Sequence, residues 1–266
     1  MTDTHAHIFL PDYSEDAISM INRALDVGIH RILMPSINPD SVAQMESISQ
    51  LSSGIKGINL YPMIGLHPCE VQEHVSTWGQ YDWKKKLESW LYTYASLDQY
   101  VGIGETGLDY YWSDEHKKEQ MLSLDIHFEL AKSTKKPIVL HNRESTQDLL
   151  QTIERHQDGT VKGVWHCFNG TYEEGMQAID LGFHLGIGGV VTFKNAGVAE
   201  VIQRLPLGKL ILETDSPYLS PTPLRGKRNE PARLEYIQEK LAQLFDLSQQ
   251  EVEKRTDLTA AELFSL

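Results

Sequence analysis

Short apolar runs alternate with longer amphipathic stretches along the whole chain, and this alternation limits the possible folds most strongly. The runs have β-strand character, whereas the stretches between them carry apolar residues at the spacing of an α-helix. Eight strands separated by helices predict an α/β protein with a (β/α)8 TIM-barrel architecture. The predicted strands lie near 4–9, 30–35, 61–67, 100–105, 137–141, 161–166, 183–188 and 209–214.

A doubly wound parallel sheet is the alternative for such an alternating pattern. It is disfavoured because the chain offers eight strands and has no GxGxxG after the first one. A length of 266 residues is usual for one barrel, and no segment has the composition of a linker. We therefore predict one domain over residues 1–266, with 229–266 adding helices after the last strand.

Composition predicts a cytoplasmic protein. An apolar fraction of 41% and a charged fraction of 23% are typical of globular chains. Cys69 and Cys167 are far apart in sequence and form no CxxC motif, which fits a reducing compartment better than a disulfide framework. No apolar run approaches the ~18 residues of a membrane helix, and no basic-then-apolar leader begins the chain. We expect no membrane partner.

The formal net charge of −13 disfavours a broad nonspecific grip on nucleic acid, which requires a basic face. This charge is still compatible with an enzyme that binds a few phosphates through metal ions. Several basic residues nevertheless follow predicted strands and indicate an anionic substrate, although 225–228 could be only a solvated loop. The predicted substrate contacts of this kind are Arg143, Lys194, Arg225, Lys227 and Arg228.

Histidine and carboxylate side chains stand at the ends of five predicted strands. The carboxyl ends of barrel strands converge on one mouth, where active sites are built. Residues two apart in an extended segment share a face, so His5 and His7 would present two imidazoles side by side. Four imidazoles and two carboxylates suffice for two divalent ions, with Glu105 as a bridge. The predicted metal ligands are His5, His7, Glu105, His141, His166 and Asp215.

Each of these residues also has an ordinary interpretation. A single histidine at a strand end is usually a hydrogen-bonded core residue, and an acidic residue after a strand often begins a helix. Their joint placement favours the metal site. His67, within GLHP, also ends a strand and is predicted to contact substrate. Four histidines in helical or polar stretches are expected to be solvated: His74, His116, His127 and His156.

The predicted ligands define the chemistry. Imidazole and carboxylate suit Zn, Mn, Ni or Co, and carboxylate-rich sites suit Mg. Two neighbouring ions lower the pKa of water and balance charge on a transferring phosphoryl group. Asp215, next to a Ser-Pro turn, is the best candidate for a ligand that is also a general base, and Glu105 is the second predicted catalytic residue. No GxSxG motif supports a serine hydrolase.

Eight motifs in order carry a resemblance to a known family: DTHAH, GLHP, GETGLDYYW, PIVLHNRES, WHCFNG, GIGGVVTFKNA, LETDSPYL and RGKRNEP. Together they resemble the TatD family of metal-dependent deoxyribonucleases, which are barrels of the amidohydrolase-like superfamily. The departures are Ala6, Thr106 and Thr259, where Cys, Ile and Asn are common, and none of them is a predicted ligand. The chain has Glu105 where some relatives bridge their metals with a modified lysine.

The resemblance implies that His5, His7, Glu105 and Asp215 hold one ion, and that Glu105, His141 and His166 hold the other. It also implies a 3′→5′ exonuclease acting on DNA, with roles in DNA repair and fragmentation. We expect two divalent ions such as Mg, Mn or Zn, and a preference for single-stranded DNA because a duplex is too wide for a bowl lined by eight loops. We expect a monomer. The alternatives are a hydrolase of small phosphoesters or of amide or lactone bonds, and a non-catalytic metal-binding protein, which the complete ligand set disfavours.

Overall fold

Eight parallel strands follow one another around a barrel in the computed structural model, which describes residues 1–112 and 115–266. Each strand pairs in parallel with the next one along the chain, which confirms the predicted barrel and excludes a doubly wound order. The strands are β1 Thr2–Asp3, β2 Arg31–Pro35, β3 Asn59–Ile64, β4 Gly102–Asp109, β5 Ile138–Arg143, β6 Gly163–Trp165, β7 Phe183–Ile187 and β8 Leu210–Leu212.

The α-helices of the described residues occupy the connections and the segment after β8, where two of them confirm the prediction for 229–266. None of these helices combines the length and the apolar character needed to cross a bilayer. They are α1 Ala17–Asp26, α2 Asp40–Ser52, α3 Val71–Trp78, α4 Trp83–Ala95, α5 Lys117–Thr134, α6 Thr146–His156, α7 Tyr172–Asp180, α8 Val198–Ile202, α9 Leu234–Phe245 and α10 Gln249–Phe264.

The first strand is shorter than predicted and ends before the two histidines. Its ladder with β2 covers only Thr2–Asp3, so the expected strand over 4–9 was wrong. Residues 4–7 bond instead to β8 and the segment after it, apart from the Ala6 N–H, which donates to the Leu33 carbonyl of β2. The Asp215 N–H donates to the His5 carbonyl at 2.9 Å, and the His7 N–H donates to the Ser216 carbonyl at 2.8 Å. These bonds bring the first and last strands together and place both histidines beside Asp215.

The last helix covers the end of the barrel where the strands begin. The Thr2 N–H donates to the Asp257 carboxylate of α10 at 2.7 Å, which ties this helix to the start of β1. Apolar side chains of α10 pack against those inside the barrel, so this end is filled. The opposite end, where the strands finish, carries the polar residues. The buried cluster comprises Leu33, Met63, Val139, Val164, Ile211, Ala260, Leu263 and Phe264.

Candidate metal centre

The two carboxylate oxygens of Glu105 face two different pairs of histidines. Glu105 lies in β4 and is buried. Its Oε2 is 3.2 Å from His5 Nε2 and 3.4 Å from His7 Nε2. Its Oε1 is 2.9 Å from His141 Nδ1 and 2.9 Å from His166 Nε2. A carboxylate that offers one oxygen to each of two imidazole pairs has the arrangement that a bridging ligand requires.

The first pair forms a compact set of donor atoms with Asp215. The Nε2 atoms of His5 and His7 are 3.2 Å apart, and Asp215 Oδ1 is 3.7 Å from each of them. Tetrahedral ligands at 2.0–2.1 Å from a Zn ion are about 3.4 Å from one another. The separations among these atoms and Glu105 Oε2 therefore fit one divalent cation.

A backbone contact fixes the orientation of His7. Its Nδ1 lies 3.1 Å from the Pro35 carbonyl at the end of β2. A carbonyl only accepts, so Nδ1 carries the proton and Nε2 keeps its lone pair toward His5 and Asp215. This tautomer is the one that a metal ligand needs.

Asp109 was not predicted from the sequence, yet it orients His141. Its Oδ2 is 3.0 Å from His141 Nε2, so this nitrogen donates and leaves Nδ1 to face Glu105. Burial and the bonds to Asp109 and Glu105 act in opposite directions on His141, and the bonds prevail and raise its pKa. The signal was present in GETGLD, because residues 105 and 109 share a face of the strand.

Glu213 is a second carboxylate that the sequence prediction missed. It is fully buried just after β8, and its Oε1 lies 3.4 Å from His166 Nδ1. Gly186 of β7 leaves space for it, since a Cβ there would lie 2.1 Å from Glu213 Oε2. Among the described residues, Oε2 has no hydrogen-bond partner. A buried carboxylate oxygen without a partner is costly, and a nearby cation removes that cost.

Charges within the centre oppose the effects of burial. Burial alone would raise the pKa of Glu105, but His166, His67 and His5 hold it well below the usual range. Burial would lower the pKa of His166, but Glu105 and Glu213 raise it well above the usual value. Protons and metal ions compete for these nitrogens, so metal affinity should rise with pH.

His67, the predicted substrate contact, reaches the same carboxylate from the loop after β3. Its Nδ1 accepts the Cys69 N–H at 3.2 Å, and its Nε2 is 3.4 Å from Glu105 Oε1. Burial lowers the His67 pKa, although Glu105 opposes this, so the ring is neutral with its proton on Nε2. In that form His67 donates toward Glu105 instead of offering a lone pair to an ion, although it is close enough to Glu105 and His141 to join a ligand group.

Two of the four histidines expected to be solvated are buried, so that prediction was wrong for His127 and His156. His127 of α5 donates from Nδ1 to the Ser123 carbonyl at 2.7 Å and accepts the Leu66 N–H at 3.0 Å. Burial lowers its pKa to about 4, so it remains neutral and holds the backbone next to His67. The sequence did not indicate this role, because a histidine in a helix with many polar residues is expected to be exposed. His127 instead lies on the inward face of α5.

The basic residues predicted to contact substrate are all exposed, and they lie in segments that end or follow strands. These side chains are not equally free to contact a substrate. Arg228 is paired with Asp16 at 2.8 Å, and the guanidinium of Arg225 lies 4.1 Å from the ring centroid of Phe193. Their contact with substrate remains a prediction, as it does for Arg143, Lys194 and Lys227.

Metal content provides a direct test of the Glu105 bridge. We expect Glu105→Ala to lose both ions and His166→Ala to lose mainly one, because Glu105 offers one carboxylate oxygen to each pair of histidines. Elemental analysis of reconstituted protein measures both losses, with Asp125→Ala on the outer helix α5 as a folded control. Equal metal stoichiometry in the wild type and in Glu105→Ala would show that Glu105 is not a ligand.

Comparisons with known proteins show the family to which this chain is similar. The profile of the family described as TatD related DNase matches residues 2–265. The uncharacterized metal-dependent hydrolase YabD of Bacillus subtilis is 33% identical over 266 residues, covering 99% of this chain and 98% of its own. The protein of Klebsiella pneumoniae named 3'-5' ssDNA/RNA exonuclease TatD is 28% identical over 272 residues, covering 100% of this chain and 98% of its own. The crystal structure of YjjV, a TatD homologue of Escherichia coli, superposes with a TM-score of 0.87 at 27% identity and covers 100% of this chain and 98% of its own.

Proposed function

Because the chain belongs to the TatD-related DNase family and is thus a metal-dependent hydrolase, we propose that it hydrolyses phosphodiester bonds at the 3′ end of single-stranded DNA. The position of Glu105 between two pairs of histidines carries the proposal, because it favours a two-metal centre suited to phosphoryl transfer. The name of the Klebsiella pneumoniae relative supports the substrate class.

Two groups of side chains would hold two divalent ions such as Mg, Mn or Zn. His5, His7, Glu105 and Asp215 would form the first group, and His141 and His166 would share Glu105 in the second. Bound divalent ions lower the pKa of water and balance the charge that develops on phosphoryl oxygens. Asp109 would act as a positioning residue through its hydrogen bond with His141, and Glu213 through its charge 3.4 Å from His166 Nδ1.

Asp215 would accept the proton of the attacking water. Burial raises its pKa to about 6, while His166 and His7 act in the opposite direction. Without a metal ion, a carboxylate with this pKa is a stronger base than an ordinary aspartate and is still mostly ionised at neutral pH. Its Oδ1 faces His5 and His7 and would be the ligand atom, so Oδ2 would take up the proton beside the first group of ligands.

The charge distribution favours an end-on substrate. Arg143, Lys194 and the 225–228 loop surround the mouth, whereas the chain as a whole is strongly acidic. A strand end would enter the mouth and leave the rest of the DNA in solvent, because a duplex is too wide for a bowl lined by loops. His67 would contact the substrate near Glu105.

Salt dependence of binding tests this limited contact. Each neutralised phosphate of a single strand contributes about −0.7 to the slope of log affinity against log salt, so we expect a slope on the order of −1 to −3. The Asp215→Asn variant allows binding to be measured without turnover. Lys194→Ala should make the slope shallower by about 0.7, whereas Arg155→Ala on α6, which pairs with Asp125, should leave it unchanged. A steep slope would indicate an extended DNA surface.

Substrate choice is decided by direct comparison. Metal-reconstituted protein is incubated with end-labelled single-stranded DNA beside panels of small phosphodiesters, lactones and amides. Stepwise shortening from the 3′ end supports the proposal. Hydrolysis of small substrates alone would favour the alternative hydrolase, and rapid internal cutting of closed circular duplex would refute the exonuclease.

We also propose that the protein acts as a cytoplasmic monomer and trims DNA ends during DNA repair. Cys69 and Cys167 are both free, which fits a reducing compartment. The histidines and carboxylates around Glu105 all come from one chain, so the centre needs no second subunit.

A further inference from the structure

A cavity of about 650 Å³ opens at the mouth of the barrel between the segments after β5, β6 and β7. Its volume lies within the roughly 300–1,000 Å³ of small-molecule sites. Its lining includes Arg143 at the end of β5, Tyr172 at the start of α7 and Arg204 after α8. None of the predicted metal ligands lines it, so it is a space distinct from the metal centre.

The cavity adjoins the metal centre through β4 and β5. Arg143 lies two residues after His141 on β5, so the two side chains leave the strand on the same side. Across the ladder Arg143 is the partner of Asp109, whose carboxylate is 3.0 Å from His141. A ligand that binds in the cavity next to Arg143 therefore lies close to a ligand that binds at the metal centre near His141 and Glu105.

Aromatic rings and guanidinium groups face one another on two walls. Arg143 lies 3.5 Å from the ring centroid of Tyr111 and 5.5 Å from that of Trp112. The two rings meet edge to face with centroids 4.9 Å apart, and Trp112 is 74% exposed. Tyr111 and Arg143 line the cavity, and Trp112 adjoins it through its contact with Tyr111. We call Tyr111, Trp112 and Arg143 the aromatic platform. On the other wall Arg204 lies 4.1 Å from the ring centroid of Tyr172.

The charges of the cavity favour a neutral planar group over a phosphate. Glu144, Glu173 and Glu174 line it together with Arg143 and Arg204, so the carboxylates outnumber the guanidinium groups. Three carboxylates would repel a phosphate, whereas an uncharged base meets no such repulsion. Bases of single-stranded nucleic acids stack on aromatic rings and on arginine planes.

We propose that this cavity binds one unpaired nucleobase of the substrate strand, stacked on the aromatic platform, while a phosphate of the same strand lies at the metal centre. This inference rests on the proposed nuclease function and extends it to a base-binding subsite. The base must be unstacked from its neighbours to enter, which selects single-stranded over duplex substrate. Stacking accepts every base, so the subsite imposes little sequence preference.

Kinetics with the metal-loaded enzyme and two kinds of substrate test the subsite. We expect Trp112→Ala and Tyr111→Ala each to raise KM for single-stranded DNA about 10-fold with a smaller change in kcat. Both variants should hydrolyse a small phosphodiester without bases at the wild-type rate. Tyr92→Ala is the matched control, because Tyr92 is 61% exposed on α4 and outside the cavity. An unchanged KM in both platform variants would overturn the proposal.

Abasic substrates locate the contact. A strand that lacks one base is compared with the intact strand at each position from the 3′ end. Removal of one particular base should weaken binding to the wild type by as much as Trp112→Ala weakens binding of the intact strand. In the Trp112→Ala variant the same removal should lower the affinity little further, because both changes remove the same contact. If the losses of affinity from base removal and from Trp112→Ala were fully additive at every position of the strand, base stacking on Trp112 would be contradicted.

Binding measurements separate this proposal from the nuclease function. Anisotropy of a labelled oligothymidylate with Asp215→Asn reports affinity without turnover. Binding that Trp112→Ala weakens about 10-fold would support the subsite even if no nucleic acid were hydrolysed. Hydrolysis of DNA with unchanged binding in Trp112→Ala would support the nuclease and refute the subsite. Absence of binding to the oligothymidylate would overturn the subsite directly.

Discussion

Removal of divalent metal is expected to abolish hydrolysis, and addition of Mg²⁺ or Mn²⁺ to restore it. The groups around Glu105 are imidazoles and carboxylates, which suit metal ions, so we expect water activated by a bound ion to be the nucleophile. Cys167 follows His166, but burial and the carboxylates of Asp215 and Glu213 raise its pKa well above the usual value. It therefore remains a thiol, which is a poor nucleophile.

The measurement compares turnover of end-labelled single-stranded DNA by stripped and reconstituted protein, with metal content established by elemental analysis. Circular dichroism of the stripped protein should retain the native signal, because the barrel has a large apolar core that needs no metal to fold. Full activity in protein shown to be free of metal would contradict the proposed centre.

The Asp215→Asn variant is expected to lose turnover by roughly 10²-fold or more while it keeps most of its metal. The amide preserves the size of the side chain and one oxygen, but it cannot accept the proton that the carboxylate takes up. Three further side chains, His5, His7 and Glu105, remain around the first site. Loss of rate should therefore exceed loss of metal.

Turnover and metal stoichiometry are measured on the same preparation of Asp215→Asn. Asp125→Asn is the matched control, because Asp125 pairs with Arg155 and His156 on the outer helices, away from the mouth. Unchanged turnover with metal retained would exclude a proton-transfer role for Asp215. Complete loss of metal would show that its charge matters chiefly for binding.

Much of the architecture was predictable because its signals are local. Strand and helix periodicities appear within windows of a few residues, and each of the eight predicted strands overlaps or adjoins an observed one. Once a barrel was predicted, the ends of its strands had to converge. The histidine and carboxylate set around Glu105 could be assembled from sequence for this reason, without knowledge of any distance.

The identities of the supporting residues were not predictable in the same way. Asp109 and Glu213 resemble ordinary acidic residues at strand ends, and His127 resembles any polar residue of a helix. Their roles depend on which ring or backbone group lies opposite, at separations such as the 3.0 Å between Asp109 and His141. Such contacts join segments far apart in the chain.

The sequence by itself determined the fold class and the candidate ligands, because hydrophobic periodicity and strand order are written along the chain. The tertiary structure alone decided that β1 ends before His5, since the following residues bond mainly to β8 and the segment after it. It also decided that Glu105 faces histidines on both sides and that the aromatic platform borders a cavity. These features depend on register and close packing between distant strands, and a few ångströms of displacement would abolish each of them.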